Sequence, residues 1–315
     1  MTDKIAMFSD LGGETWRILR FVDNNDKRWS AFNPSIAYSP EVGYVVLFRA
    51  SNYFFDPKTG GTVATIGTRV QNRVFMAKLD SNWQVISESL HELDYSSSFR
   101  FLRGPEDGRL YWRDGGWEFL SVMREPYVTD DVPRLGTFRV DGNKANLIKI
   151  YDSPDLQPIE KNWMPTYKKT SKFDFVYSAA SVYKDGIGKI KTRDATEVVG
   201  NNIRGGSCLW EMPDGSYLAI VHEANVRYET KYIARMFSYK EMAVRKYLHR
   251  FAKYSSDGVL THLSDLFTFE NSDIEFAAGL VLSGEDVIVS YGYKDVASYL
   301  GKIKLKAVLE SLKEI

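Results

Sequence analysis

Short runs of β-branched and aromatic residues, each closed by a turn, recur along the 315-residue chain. Such runs suit the pleated surface of a strand, and the Gly- and Asp-rich segments between them suit hairpin turns. Strands are predicted at 44–49, 74–79, 118–123, 136–140, 173–177, 217–221 and 287–291, with turns at 113–116, 212–215 and 255–258. Helical spacing of Leu305, Val308, Leu309 and Leu312 predicts one short C-terminal helix. The predicted class is all-β.

A longer repeat overlies the strand pattern. Five polar or Gly/Pro-rich motifs, spaced about 60 residues apart on average, each lead into a predicted strand and hairpin. These lead motifs are 33–36 (NPSI), 104–107 (GPED), 161–165 (KNWMP), 204–207 (RGGS) and 274–279 (IEFAAG). Five repeats of about four strands predict a five-bladed β-propeller, with residues 1–315 as a single domain. The innermost strand of each blade lines the channel, so the lead motifs should meet at one mouth.

Composition excludes several classes of function. Lys and Arg total 41 and Asp and Glu total 41, so the basic excess typical of nucleic-acid-binding proteins is missing. No apolar run approaches ~18 residues, and no signal peptide is recognisable. The single cysteine, Cys208, is interpreted as a small buried apolar residue. We expect a soluble cytoplasmic protein without a nucleic-acid or membrane partner; the sequence leaves open whether it forms a homo-oligomer.

Metal and cofactor signatures are missing from the sequence. Four histidines and one cysteine are too few and too scattered for a zinc site. No Gly-rich phosphate loop precedes a helix, and no serine nucleophile elbow is present. We therefore expect neither a metal nor an organic cofactor.

The second lead motif carries the strongest chemical signal. Glu106, Asp107 and Arg109 lie on a Gly-rich turn just before an aromatic strand. Side chains alternate along a strand, so the two carboxylates are predicted to diverge, with one pointing into the cleft. Paired carboxylates beside an arginine suit acid–base chemistry on sugars, with Asp107 as the general acid. The alternative for Asp107 is a turn aspartate that accepts backbone N–H groups.

Polar side chains of the other motifs and of the strands that follow complete the predicted site. Substrate-binding roles are predicted for Asn33, Arg49, Arg103, Glu106, Lys161, Asn162, Arg204, His222, Glu223, Glu275 and Asp295. Phosphate binding is predicted for His249, Arg250 and Lys253, because guanidinium and other cationic groups suit anions. The alternative for these three is solvated charge at a strand edge.

Structural alternatives remain open for other members of this set. Lys161 could pair with Glu160, and His222 could be satisfied by Glu223. Asp295 could bind backbone amides rather than substrate.

Taken in order, the lead motifs and segment 291–295 (YGYKD) resemble glycoside hydrolase family 130 and the related β-mannosyltransferase/phosphorylase group. The resemblance extends from about residue 30 to about residue 300. It implies a five-bladed propeller catalytic domain and, largely, inverting phosphorolysis of β-mannosides to mannose 1-phosphate. It also implies that Asp107, which matches the aspartate of the family's Glu-Asp-Pro-Arg motif, is the general acid. Gly108 stands where that motif has proline.

We therefore expect a glycoside phosphorylase or glycosyltransferase that uses phosphate or a sugar 1-phosphate on β-mannoside-like sugars. Three alternatives remain: an inverting hydrolase, a nucleotide-sugar-dependent transferase, and a non-catalytic propeller that binds glycans. An inverting hydrolase needs a second carboxylate roughly 6.5–9.5 Å from the acid, for which Glu275 and Glu223 are the candidates.

Overall fold

The computed structural model describes residues 5–24, 27–56, 61–64, 70–95, 103–123, 132–168, 170, 172–192, 203–229 and 242–315. Within these ranges the fold is all-β, with 27 strands, two short 3₁₀ segments (Phe8–Leu11 and Ser87–Ser89) and one short helix, α1 (Leu305–Ser311). The predicted class and the C-terminal helix are both confirmed. No helix of the described part is long and apolar enough to cross a membrane.

The strands form five larger sheets and one separate hairpin. The N-terminal strands are β1 (Ala6–Met7) and β2 (Glu14–Leu19). Sheet I comprises β3 (Phe21–Asn24), β4 (Lys27–Ser39), β5 (Gly43–Ser51), β8 (Asn72–Lys78) and β9 (His91–Glu92), and the hairpin is β6 (Tyr53–Asp56) with β7 (Gly61–Ala64). Sheet II comprises β10 (Pro105–Arg113), β11 (Gly116–Met123), β12 (Arg134–Asp141) and β13 (Lys144–Tyr151).

Sheet III comprises β14 (Met164–Pro165), β15 (Phe175–Ser178), β16 (Ser181–Lys184) and β17 (Gly188–Lys191). Sheet IV is built on β18 (Ile203–Gly205), β19 (Trp210–Glu211), β20 (Tyr217–Glu229), β21 (Met242–Tyr254), β22 (Leu260–Leu263) and β23 (Phe267–Thr268), joined by β1 and β27 (Lys313–Glu314). Sheet V comprises β24 (Glu275–Ser283), β25 (Asp286–Tyr293), β26 (Ala297–Lys304) and β2. The pairing of β2 with β26 joins the two ends of the chain in one sheet.

A buried apolar cluster lies between each pair of successive sheets, and a fifth cluster joins the last sheet to the first. One fully buried member of each cluster identifies it: Phe48 between sheets V and I, Phe119 between I and II, Trp163 between II and III, Leu209 between III and IV, and Phe251 between IV and V. A closed ring of face-packed sheets is a propeller-like arrangement, because each sheet buries both of its faces against neighbours.

Each lead motif lies in or immediately before a strand of a different sheet, namely β4, β10, β14, β18 and β24. Strand β4 packs against β10 and β24, and β10 also packs against β14. The repeat therefore places its polar motifs on strands that contact one another.

The second lead motif departs from the predicted geometry. Its carboxylates were expected on a turn before a strand, but β10 already begins at Pro105 and carries a bulge between Glu106 and Arg109. A bulge inserts an extra residue and breaks the alternation of side chains. The expected divergence of the two carboxylates is consequently wrong, and both contact the same arginine, Arg49.

The space beside Gly108 at this bulge is already filled. A Cβ atom there would lie 2.5 Å from Cδ2 of Leu47, which is buried in the cluster between sheets I and II. The backbone of Gly108 has no positive φ, so any cost of adding a methyl group is steric.

We expect Gly108→Ala to lower the free energy of unfolding by about 1–3 kcal/mol, as overpacking of a filled core does. Denaturant unfolding measures this loss. In a Leu47→Ala background the same substitution should cost close to nothing, because the clashing methyl group is gone. An equal cost in both backgrounds would contradict the steric explanation.

Candidate active site

Four polar residues where the lead motifs and segment 291–295 meet have a left-handed backbone conformation. Asn33, Asp107, Asn162 and Asp295 have φ values of 47°, 51°, 66° and 54°. Left-handed non-glycine residues cost about 1–3 kcal/mol each and persist where the surrounding structure holds them. In β4 and β10 the strain coincides with bulges, which turn polar side chains toward neighbouring strands.

Asp107 has one carboxylate oxygen fixed and the other available. Its Oδ1 accepts hydrogen bonds from Nδ2 of Asn33 and from Nη1 of Arg49, each at 2.8 Å. Its Oδ2 has no hydrogen-bond partner among the described residues. The side chain retains 25% of its exposure, so the free oxygen can meet a ligand in the mouth.

Arg49 is the cation that organises this acidic side of the mouth. Its buried guanidinium donates from Nε to Oδ1 of Asn72 at 2.9 Å and from Nη2 to the hydroxyl of Tyr53 at 3.3 Å. It also lies 3.7 Å from Oε1 of Glu106, which accepts a bond of 3.3 Å from Nδ2 of Asn72. One guanidinium therefore holds Glu106 and Asp107 in fixed positions.

The pKa of Asp107 is set by two opposing effects. Burial alone would raise it, but the charge of Arg49 and the hydrogen bonds from Asn33 and Arg49 outweigh burial and hold the pKa below its usual value. Asp107 is therefore ionised in the substrate-free protein at neutral pH.

Arg109 connects the acidic side to the remaining lead motifs. Its fully buried guanidinium donates to the backbone carbonyl of Asp107 at 2.9 Å, to Oδ1 of Asn162 at 3.0 Å and to the carbonyl of Gly206 at 2.9 Å. It also lies 5.4 Å from the ring centroid of Phe276. Four of the five lead motifs thus meet at one side chain.

Three further residues, His222, Lys161 and Arg204, lie close enough to Arg109 and to one another to interact electrostatically. His222 is buried, and burial, His249 and the nearby cations Arg109, Arg204 and Lys161 hold its pKa well below the ordinary value. The imidazole is therefore neutral at pH 7 and can donate or accept a hydrogen bond. Lys161 and Arg204 are exposed, so this side of the mouth presents positive charge to solvent.

The residues predicted to hold phosphate are not together in this mouth. His249 is fully buried against Phe267 and Phe269, and burial lowers its pKa to about 3. Arg250 donates to the carbonyl of Ser264 and to Glu223, and Lys253 pairs with Asp214 at 3.0 Å on the surface. These contacts fit structural roles, and alternation along β21 places Arg250 on the opposite face from His249.

The two candidate second carboxylates have partners of their own. Glu275 is fully buried and accepts backbone N–H groups of Phe269, Glu270 and Ser272 at 2.7–2.9 Å. Burial raises its pKa, and these amide bonds partly oppose the rise. Glu223 pairs with Arg250 at 2.8 Å rather than with His222.

The remaining predicted residues lie at or near the mouth. Arg103 immediately precedes the second lead motif, and its carbonyl accepts the backbone N–H of Asn72. The sequence left open a pair between Lys161 and Glu160. The carboxylate of Glu160 instead accepts hydrogen bonds from Ser153, Trp163 and Tyr177.

Two contributors were missed by the sequence reasoning. Tyr53 donates its hydroxyl to Oδ2 of Asp295 at 3.1 Å, and Asn72 bridges Arg49 and Glu106. Both lie outside the lead motifs, on strands that carry no motif of their own, so no local signal marks them. Within the described ranges, no group of three or more His, Cys, Asp or Glu side chains is placed to hold a metal ion.

Comparison of the fold with solved structures finds sugar-active proteins. A β-1,2-mannobiose phosphorylase from Listeria innocua matches with a TM-score of 0.63 at 11% identity, covering 95% of this chain and 99% of that one. A glycosyl hydrolase from Bacteroides ovatus gives 0.58 at 13%, covering 96% and 94%. A GDP-Man-dependent mannosyltransferase from Leishmania mexicana gives 0.55 at 10%, covering 92% and 89%.

No protein-family model and no curated protein matches the sequence. At 10–13% identity the structural likeness establishes the propeller-like fold, which these phosphorylase, hydrolase and transferase structures share.

We expect Arg49→Gln to lower the free energy of unfolding by about 3–5 kcal/mol at neutral pH, because it leaves buried carboxylates without their cation. Arg49 depresses the pKa of Asp107, so its contribution is present at neutral pH and declines as acid protonates Asp107. The gap between wild type and variant should therefore narrow below about pH 4.

Urea unfolding at several pH values measures this gap. Lys253→Gln, which removes a cation from a surface pair, is the matched control and should change stability by about 1 kcal/mol or less. A loss in Arg49→Gln that is the same at every pH would contradict the assigned ion pair.

Proposed function

We propose that the chain is an inverting glycoside phosphorylase or glycosyltransferase that acts on β-mannoside-like sugars with phosphate or a sugar 1-phosphate. The observation that carries the proposal is a carboxylate with one free oxygen, Asp107, in a mouth that also presents the cations Lys161 and Arg204. The five larger sheets and the five clusters between them support a five-bladed propeller that forms a single catalytic domain.

The chemistry follows from these two sides of the mouth. In phosphorolysis, a phosphate oxygen bonds to the anomeric carbon as the glycosidic bond breaks on the opposite face, and the departing oxygen gains a proton. In synthesis, an acceptor hydroxyl displaces phosphate from the sugar 1-phosphate and gives up its proton. Asp107 is ionised in the free protein, so it is ready to accept that proton in the synthetic direction. The same group, once protonated, is the acid in phosphorolysis.

The anion is assigned to Lys161 and Arg204, two basic residues of the predicted site, rather than to His249, Arg250 and Lys253. Lys161 and Arg204 supply exposed positive charge beside the neutral imidazole of His222, whereas His249, Arg250 and Lys253 are buried or paired elsewhere. Phosphate is itself the nucleophile, so this reaction needs no second catalytic carboxylate. Glu223 and Glu275, the candidates for that second role, are both engaged in other bonds.

The remaining roles follow from this chemistry. Asn33 orients Asp107, Asn162 orients Arg109, and Asp295 and Glu106 supply acceptors or donors for sugar hydroxyls. The proposed reaction uses no cofactor other than its phosphate or sugar-phosphate substrate, requires no nucleic-acid or membrane partner, and takes place in the cytoplasm.

We expect release of phosphate when the protein is incubated with α-mannose 1-phosphate and a panel of mannoside acceptors. Asp107→Asn should lower kcat by about 10²–10⁴, because it removes the acid–base group. Lys253→Gln, whose partner is Asp214 on the surface, should retain wild-type activity.

Other outcomes decide between the alternatives. Sugar release without phosphate identifies a hydrolase, and transfer only from a nucleotide sugar identifies a nucleotide-sugar-dependent transferase. Binding of mannosides without turnover of any donor identifies a glycan-binding propeller. Full activity of Asp107→Asn would overturn the assignment of the acid–base residue.

A further inference from the structure

The acidic side of the mouth contains more carboxyl groups than cations. Glu106 and Asp107 contact Arg49 directly, and Asp295 reaches the same guanidinium through the hydroxyl of Tyr53. Three carboxyl groups lie around the guanidinium of Arg49, and the charge of Arg109 also reaches Asp107. The three cannot all carry a full charge at little cost, because like charges in close proximity disfavour one another. One of them is the natural place for a proton.

The surroundings distinguish the three groups. Oδ1 of Asp107 accepts a charge-assisted hydrogen bond from Arg49 and a neutral one from Asn33. Glu106 lies within ion-pair distance of Arg49. Asp295 has a single hydrogen bond, the neutral one from Tyr53, and makes no ion pair among the described residues. The residue that precedes Asp295, Lys294, is exposed and lies over the ring of Tyr293.

We propose that Asp295 is the group of this mouth that takes up a proton when the pH falls into the weakly acidic range, while Asp107 remains a carboxylate. The balance of burial and charge around Asp295 supports this assignment. Burial raises the pKa of Asp295 to about 6, Asp107 and Glu106 add to the rise, and Arg49 and the Tyr53 hydrogen bond oppose it.

The protonation pattern defines what the mouth can bind. Oδ2 of Asp107 and Oδ1 of Asp295 have no hydrogen-bond partners among the described residues. A carboxylate only accepts hydrogen bonds, whereas a carboxylic acid also donates one. Below about pH 6 the two side chains therefore offer one acceptor and one donor, which matches the two bonding capacities of a hydroxyl group. This consequence, though not the protonation state, rests on the proposed sugar-binding function.

Carbon-13 NMR of the substrate-free protein, labelled at the aspartate carboxyl carbons, tests the protonation state directly. We expect one carboxyl signal that titrates with a midpoint near pH 6 and is absent from Asp295→Asn. Tyr53→Phe should move the midpoint upward, because it removes a bond that stabilises the charged form. Asp107→Asn should move it downward, because it removes a neighbouring negative charge.

Glu118→Gln is the control, since it breaks a partly buried ion pair with Arg139 in sheet II and should leave the midpoint unchanged. A midpoint near the ordinary aspartate value of about 4 would overturn the proposal. Loss of the signal in Asp107→Asn instead of Asp295→Asn would also overturn it. The opposite shifts in Tyr53→Phe and Asp107→Asn decide the question even if Asp295→Asn does not fold.

The activity assay supplies a second readout. If turnover is found, the pH profile of kcat/KM should contain a limb near pH 6 in the wild type that Asp295→Asn lacks. The NMR titration needs no substrate, so an inactive protein with the expected titration would refute the proposed reaction and leave the proton assignment standing. An active protein without that titration would support the proposed reaction and overturn the proton assignment.

Discussion

The mouth depends on one buried guanidinium more than on any other group. Arg109 donates to Asp107, Asn162 and Gly206, which belong to three different lead motifs, and contacts the ring of Phe276 in a fourth. A buried cation is costly unless its donors are satisfied, so the inner strands are stable only in the arrangement that satisfies it. The same side chain therefore holds the inner strands of several sheets together and fixes the backbone of Asp107.

The sequence predicts the class and the meeting of the motifs well, because both depend on local patterns repeated along the chain. Strand runs such as 44–49 and 217–221 lie within β5 and β20, and the terminal helix lies where its leucines recur. Asn33 and Asp107 are 74 residues apart but are joined by a hydrogen bond, as expected for motifs that share one mouth.

The remainder of the site depends on contacts that have no local signature. A bulge places Glu106 and Asp107 on one arginine, although strict alternation would separate them. His249 looks like an anion ligand in the sequence, but the pairing of β21 with β23 places it among phenylalanines. Nothing in the local sequence marks Asn72 and Tyr53. They belong to the site because both accept hydrogen bonds from Arg49.

The pairing of β2 with β26 has a consequence for how the protein folds. These strands are separated by almost the whole chain, so the ring closes only when the C-terminal sheet is available to receive the N-terminal strand. Contacts of such long sequence separation form slowly because the entropy of loop closure is lost first. During synthesis, sheets I to III and the central strands of sheet IV can pack in order as they emerge, whereas β27 of sheet IV follows sheet V. The mouth gains Asp295 and the Phe276 ring only with sheet V, so the candidate site is complete only after that sheet has formed.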